Sequence, residues 1–307
     1  MTRKQTQAQN PDFIGYQKGR WAIYLFLGIM AVCQLLPFYL AINVSMKPQD
    51  DTSSTLMPRL HDIAWSNWIA AVTDGNIFQS VFNSIVVTVI TTLLVCVLGA
   101  MAAYPLARRK TKFNGVISAL ILAMMMVPPL SILVPLYSLL VDMGGVNTYW
   151  GISLVLAATN LPLSVFLYTN FIKAIPNSID EAGMIDGANR FTIFMKLILP
   201  TLKPVTATVV IMTGTTVWNE YALSGYILTD TSAQTIAPRV ASFFAANSSN
   251  LGTAAAASLI AAAPTCSCRS TSSQAWSLAL RSEINLLGVL LCCSLRFPIP
   301  MKSPVSH

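Results

Sequence analysis

His61 and His307 are the chain's two histidines, and they lie far apart in sequence. No serine has a plausible His/Asp partner, and no Gly-x-x-x-x-Gly-Lys-Ser/Thr phosphate loop occurs. Neither nucleophilic catalysis nor ATP hydrolysis by this chain is therefore expected. Cys33 and Cys96 fall in apolar runs, where a thiol packs as a small apolar group. Cys266, Cys268, Cys292 and Cys293 have no histidine at ligand spacing, so no metal site and no bound cofactor is predicted. The densest polar group is Ser178, Asp180, Glu181 and Asp186. Ser178-x-x-Glu181 fits a capping box, in which the serine oxygen takes an orphan amide and the glutamate reaches back to the cap. Gly187 then allows a sharp break before Phe191–Leu199, where a backbone with positive φ is at home. Asn83, Asn160, Thr215, Thr216 and Asn219 offer amides and hydroxyls either to a polar solute or to neighbouring helices as interhelical glue.

The elements that hold these groups follow from composition. Hydrophobic residues make up 54% of the 307-residue chain and charged residues only 10%, against about 25% charged in a soluble domain. Uncharged intervals run over Trp21–Met46, Gly75–Ala107, Phe113–Val141, Met143–Ile172, Pro204–Asn219 and Val240–Cys268. Five exceed the ~20 residues that a spanning helix needs. The fifth interval is shorter, but Lys203 can snorkel at its edge and Leu197–Leu202 can extend it. The reading is an all-α integral membrane protein with six transmembrane helices. Trp21–Leu40 is read as a retained first helix rather than a signal peptide, because no small-residue cleavage site follows cleanly.

Loop charges orient the chain. Arg3, Lys4, Lys18 and Arg20 stand against Asp12 in the N-terminal tail, and Lys47–Asp74 holds two basic and four acidic residues. Arg108, Arg109, Lys110 and Lys112 crowd the next loop, Asp142 stands alone in the third, Lys173–Lys203 is weakly positive and Glu220–Arg239 weakly negative. The sign alternates at every crossing, which by the positive-inside rule puts both termini and the Glu181 loop in the cytoplasm. The excess of basic residues is thus topological, and no nucleic-acid partner is expected. Span interiors lack carboxylates; Asp142 and Glu220 sit at predicted external ends and read as interfacial groups. A proton-coupled carrier, which uses intramembrane carboxylates as relays, is disfavoured on that ground.

Trp65 and Trp68 predict a short amphipathic element at the external interface. Pro128-Pro129 inside the third span predicts either a packing kink or a broken helix beside a solute path.

Residues 181–200, Glu-Ala-Gly-Met-Ile-Asp-Gly-Ala-Asn-Arg-Phe-Thr-Ile-Phe-Met-Lys-Leu-Ile-Leu-Pro, resemble the cytoplasmic coupling loop of binding-protein-dependent ABC transporter permeases. Glu181, Ala182, Gly187, Leu199 and Pro200 fall at the family spacing, with Gly183 in place of an alanine and Leu197 in place of an isoleucine. Phe82-Asn83-Ser84 and Trp218-Asn219-Glu220 are similar to the carbohydrate-uptake branch, and the chain looks closer to its shorter, MalG-type subunit. The resemblance implies an ABC type I importer permease fold with a transmembrane core over 77–264 that includes a coupling loop over 174–200; ahead of it, the apolar run and the loop charges give a first helix over 21–46 and a cytoplasmic tail over 1–20. It implies that Ser178, Asp180, Glu181, Ala182, Gly183, Asp186, Gly187 and Ala188 form the element that docks on an ATPase. The implied partners are a second permease subunit in a heterodimer, two cytoplasmic ABC ATPase subunits that use the ATP, and an extracytoplasmic solute-binding protein, all about the lipid bilayer of the cell membrane. The implied cargo is a sugar or oligosaccharide; a polyamine or glycerol phosphate is the alternative.

After Pro264, Cys266–Ser273 replaces the apolar continuation that the resemblance leads one to expect. Reading each codon's third base with the next two lets Thr271–Leu280 encode a run similar to the family's own tail, so residues 265–307 are read as a reading-frame change. The alternative is a divergent tail whose Leu286–Leu295 packs on the membrane surface.

Overall fold

The uncharged runs fold as helices, and all regular structure among the described residues is helical. The computed structural model describes residues 12–48, 55–57, 63–73, 75–246 and 251–262. Helix α1 (Asp12–Ser45) carries the first apolar run, α3 (Ile77–Arg108) the second and α6 (Tyr149–Ala174) the fourth. These three are long and apolar enough to cross a membrane, over Ile23–Ser45, Ile77–Arg108 and Tyr149–Ala174. Pro105 lies inside α3, one turn from its end, and the helix continues past it to Arg108.

Two further runs are bent. Helix α4 (Lys112–Met124) stops before Pro128-Pro129, and a 3₁₀ turn (Pro129–Ile132) leads into α5 (Leu133–Asp142) at 98°. The proline pair therefore breaks the helix rather than kinking it. A second arm, α8 (Arg190–Ile193), a widened turn (Phe194–Ile198) and α9 (Leu199–Thr201), meets α10 (Lys203–Trp218) at 74°. Pro200 has no amide to donate, and the wide i→i+5 turn ahead of it relieves the crowding its ring would cause. Leu197–Leu202 thus extends this span only through a bend, and Ile198 and Leu202 are fully buried. If each bent pair is one span, the described residues hold five. The interval predicted as the sixth is covered by α12 (Ile236–Ala246) and the apolar helix α13 (Leu251–Ala262), while the rest of it and the whole tail after Pro264 lie outside the described residues. Around Trp65 and Trp68 the chain forms the expected short helix, α2 (Ser66–Thr73).

Helix α3 is the spine, packed most extensively on α6 and then on α10. Gly99, Ala100, Ala103 and Ala107 give it a small-residue face, and a Cβ at Gly99 would overlap the Ser164 hydroxyl of α6. Small residues let backbones approach where lipid supplies no hydrophobic drive between helices. Val95, Tyr168, Ile172, Ile198 and Leu202 fill the core on this side. The Tyr168 hydroxyl donates to Thr206 Oγ1 at 3.0 Å, joining α6 to α10. Helix α1 stands apart: over Ile23–Ser45 none of its best apolar window is buried within the chain.

Candidate functional site

Between α6 and α8 the chain forms α7 (Ser178–Ile185), the short helix foreseen in the coupling segment. Its N-terminus corrects the capping box. Asn177 is the cap residue, no side chain caps an amide there, and Ser178 is already helical and exposed. The reason is competition: Arg108 Nη1 donates to Asn177 Oδ1 and to the Ile175 carbonyl, both at 2.8 Å. Asp180 and Glu181 occupy the first turn, where a carboxylate is favoured by the helix dipole.

The C-terminus closes as the glycine demands. Gly187 has φ +77°, its amide donates to the Met184 carbonyl at 3.1 Å, and the Ala188 amide donates to the Gly183 carbonyl at 3.0 Å. This pair of bonds is a Schellman motif. Asp186 is the residue at the C-terminal cap. Asn189 starts the next helix, its side chain accepting from the Thr192 amide at 2.8 Å.

Two sides of α7 differ. The inner side carries Asp180 and Gly183, both buried, and a Cβ at Gly183 would come within 3.0 Å of Ile193 Cγ1 and Leu197 Cδ1. The outer side carries Glu181, Ala182, Met184, Ile185 and Asp186, all exposed, with Ile185 at 86%. Phe191, in α8, is also exposed, at 64%. Met184, Ile185 and Phe191 were missed by reasoning from charge and glycine; their signal was large apolar residues standing beside Asp186 and Arg190, outside the uncharged runs.

Also missed was a buried ion pair. Arg108 Nη2 lies 2.6 Å from Asp180 Oδ2, with side-chain exposures of 8% and 11%. The Tyr104 hydroxyl donates to the other carboxylate oxygen at 2.8 Å. A cleft of about 200 Å³ opens beside this group, lined in part by Asn177, Glu181, Met184 and Arg190.

The five candidate solute-path residues are not gathered into one site. Asn83 is fully buried; it donates to the Ser232 and Gln234 carbonyls (2.8 and 3.0 Å) and accepts from Gln79 and Tyr149 (3.0 and 2.7 Å). Asn160 donates to the Leu156 carbonyl, Thr215 to Ile211, Thr216 to Met212 and Asn219 to Thr215, each bond within its own helix or at its end. Glu220 is more than an interfacial charge: its two oxygens accept from the Leu223 and Ser224 amides at 2.8 Å, capping α11 (Ala222–Ile227). Among the described residues no group of His, Cys, Asp or Glu is arranged to hold a metal.

Residues 95–270 match the family described as binding-protein-dependent transport system inner membrane component. The chain belongs to this family. It is a membrane protein and a transport component. The chain is 39% identical over 244 residues to the melibiose/raffinose/stachyose import permease protein MelC of Bacillus subtilis, covering 79% of this chain and 88% of that protein. It is 32% identical to the multiple sugar-binding transport system permease protein MsmG of Streptococcus mutans, over 70% and 78% of the two chains. Its fold is similar to a chain in the crystal structure of a bacterial ABC transporter involved in import of the acidic polysaccharide alginate, with TM-score 0.67, 21% identity, and 88% and 99% coverage. At that identity the likeness speaks for the permease fold alone.

Proposed function

We propose that this chain is a permease subunit of an ATP-driven importer and carries a sugar or small oligosaccharide inward across the cell membrane. The 39% identity to MelC over most of both chains is the observation that carries the sugar reading. In this reading α7 is the part gripped by a cytoplasmic ATPase, and Glu181, Ala182 and Asp186 frame an apolar tip made of Met184 and Ile185. A groove with an apolar floor and a basic rim complements that tip. The partner ATPase hydrolyses the ATP, and this chain binds no cofactor. A second permease covers the surfaces that this chain leaves bare, α1 foremost, and a solute-binding protein delivers the sugar from outside.

The topology in this reading has six spans and cytoplasmic termini, supported by the alternating loop charges. The solute path runs beside the 98° break of α4 and α5 and the exposed ends of α10, where Thr216 and Asn219 lie. Asn83 is the weakest of the solute-path candidates, because its hydrogen-bonding capacity is taken up inside the chain. The tail after Pro264 is the product of a changed reading frame, and resequencing the gene from independent isolates checks it: an unaltered frame in all of them contradicts it.

Deleting the gene and measuring uptake of labelled melibiose, raffinose, stachyose and other sugars tests the function. Loss of uptake of at least one sugar, restored by the wild-type gene, is expected. Unchanged uptake of the whole panel would refute the sugar reading.

A further inference from the structure

Helix α7 is joined to the rest of the bundle in two ways, and their role in transport rests on the reading of α7 as the ATPase contact. The backbone of α7 lies chiefly against α8 and the widened turn, not against α3. Helix α3 is reached by side chains: Arg108 pairs with Asp180, Tyr104 donates to the same carboxylate, and Arg108 also holds the Ile175 carbonyl and Asn177. These bonds grip α7 at its first turn and at the two residues that lead into it.

Helix α3 has 32 residues and so spans roughly 48 Å at ~1.5 Å per residue. Its other end is also clamped. Asn83 holds the Ser232 and Gln234 carbonyls, and the Ser84 hydroxyl accepts from the Ile236 amide at 2.8 Å. One helix therefore ties the coupling element to the segment 232–236 at the opposite end of the bundle.

We propose that Arg108 and Tyr104 are positioning residues of the transport cycle: with Asp180 they form the joint that makes α7 and α3 move as one body. A displacement of α7 then reaches the 232–236 segment through α3, as well as α10 through the α8 arm. Three features support a joint over a simple packing contact. The pair is sheltered from solvent, so removing one partner strands a buried charge, which is strongly unfavourable. Arg108 donates to two acceptors, the Ile175 carbonyl and Asn177 Oδ1, and pairs its charge with Asp180, which fixes orientation as well as distance. Arg108 itself is too sheltered to be a contact for the ATPase.

Reconstituting the complete importer with Arg108→Met tests the joint through the ratio of sugar imported to ATP hydrolysed, a quantity that loss of protein alone does not change. The labelled probe is whichever of melibiose, raffinose or stachyose the wild-type complex imports. The variant is expected to bind the ATPase and hydrolyse ATP while the ratio falls at least tenfold. The double reversal Arg108→Asp with Asp180→Arg is expected to recover a higher ratio than Arg108→Asp alone. If Arg108→Met fails to accumulate, Tyr104→Phe removes a single hydroxyl and is expected to lower the ratio severalfold. A wild-type ratio in whichever of these variants is measurable would overturn the joint alone, as would a double reversal no better than the single one. Absence of ATP-driven uptake by the wild-type complex would overturn the importer reading and the joint with it.

Discussion

Gly187 ends α7 in a conformation that costs an L residue roughly 1–2 kcal/mol, with φ +77° and open space around a prospective Cβ. The penalty for substitution is therefore backbone strain and not a clash. Asparagine tolerates this region far better than valine, so Gly187→Asn is expected to retain most uptake and Gly187→Val to lose it at matched membrane levels. Equal uptake by the two variants would contradict the strained-backbone account. Asn83 makes a different prediction. Asn83→Leu leaves the Ser232 and Gln234 carbonyls without their partner inside the protein, at about 1–3 kcal/mol for each buried group. The expected outcome is a clear drop in the unfolding midpoint of the detergent-solubilised complex, with the KM for sugar unchanged in the protein that remains. Gly187 was legible because glycine at that spacing has one main structural use. The ion pair was not, because Arg108 and Asp180 lie on helices far apart in sequence and Arg108 sits within a basic cluster that topology already accounts for.

The prolines governed the elements more than propensity did. Pro128-Pro129 signalled a break, but the sequence does not state the 98° angle between the two arms. Replacing both by alanine restores two helix-compatible residues, and α4 and α5 are expected to straighten. Spin labels at Val116 and Val134 would then move apart, towards the roughly 27 Å that 18 residues span in a continuous helix. An unchanged separation would show that packing, not the proline pair, sets the bend. Ser178-x-x-Glu181 misled for the opposite reason. Its spacing fits a cap, yet the residue before it is the cap, and an arginine from another helix holds that side chain.

At the scale of the molecule, the uncharged runs made the helical, membrane-spanning character readable, and three of them fold as single helices long and apolar enough to cross a membrane. Burial of α1 was not readable, since a helix apolar on all sides gives no clue to which neighbour it meets. The six-span topology predicts that single cysteines within Arg108–Lys112 react with a membrane-impermeant thiol reagent only from the cytoplasmic side. Cysteines within Lys47–Asp74 are expected to react from outside. The reverse pattern would contradict the proposed orientation.

Transport driven by ATP at a partner subunit is the central claim, and proteoliposomes containing the complete importer and its solute-binding protein test it most directly. Uptake of labelled raffinose, melibiose or stachyose is measured with ATP supplied on the α7 side, then with a proton gradient alone. The account predicts accumulation with ATP, no accumulation with the gradient, and loss of the ATP-driven signal in Gly187→Val. Accumulation driven by the gradient without ATP, or full activity in Gly187→Val, would contradict it.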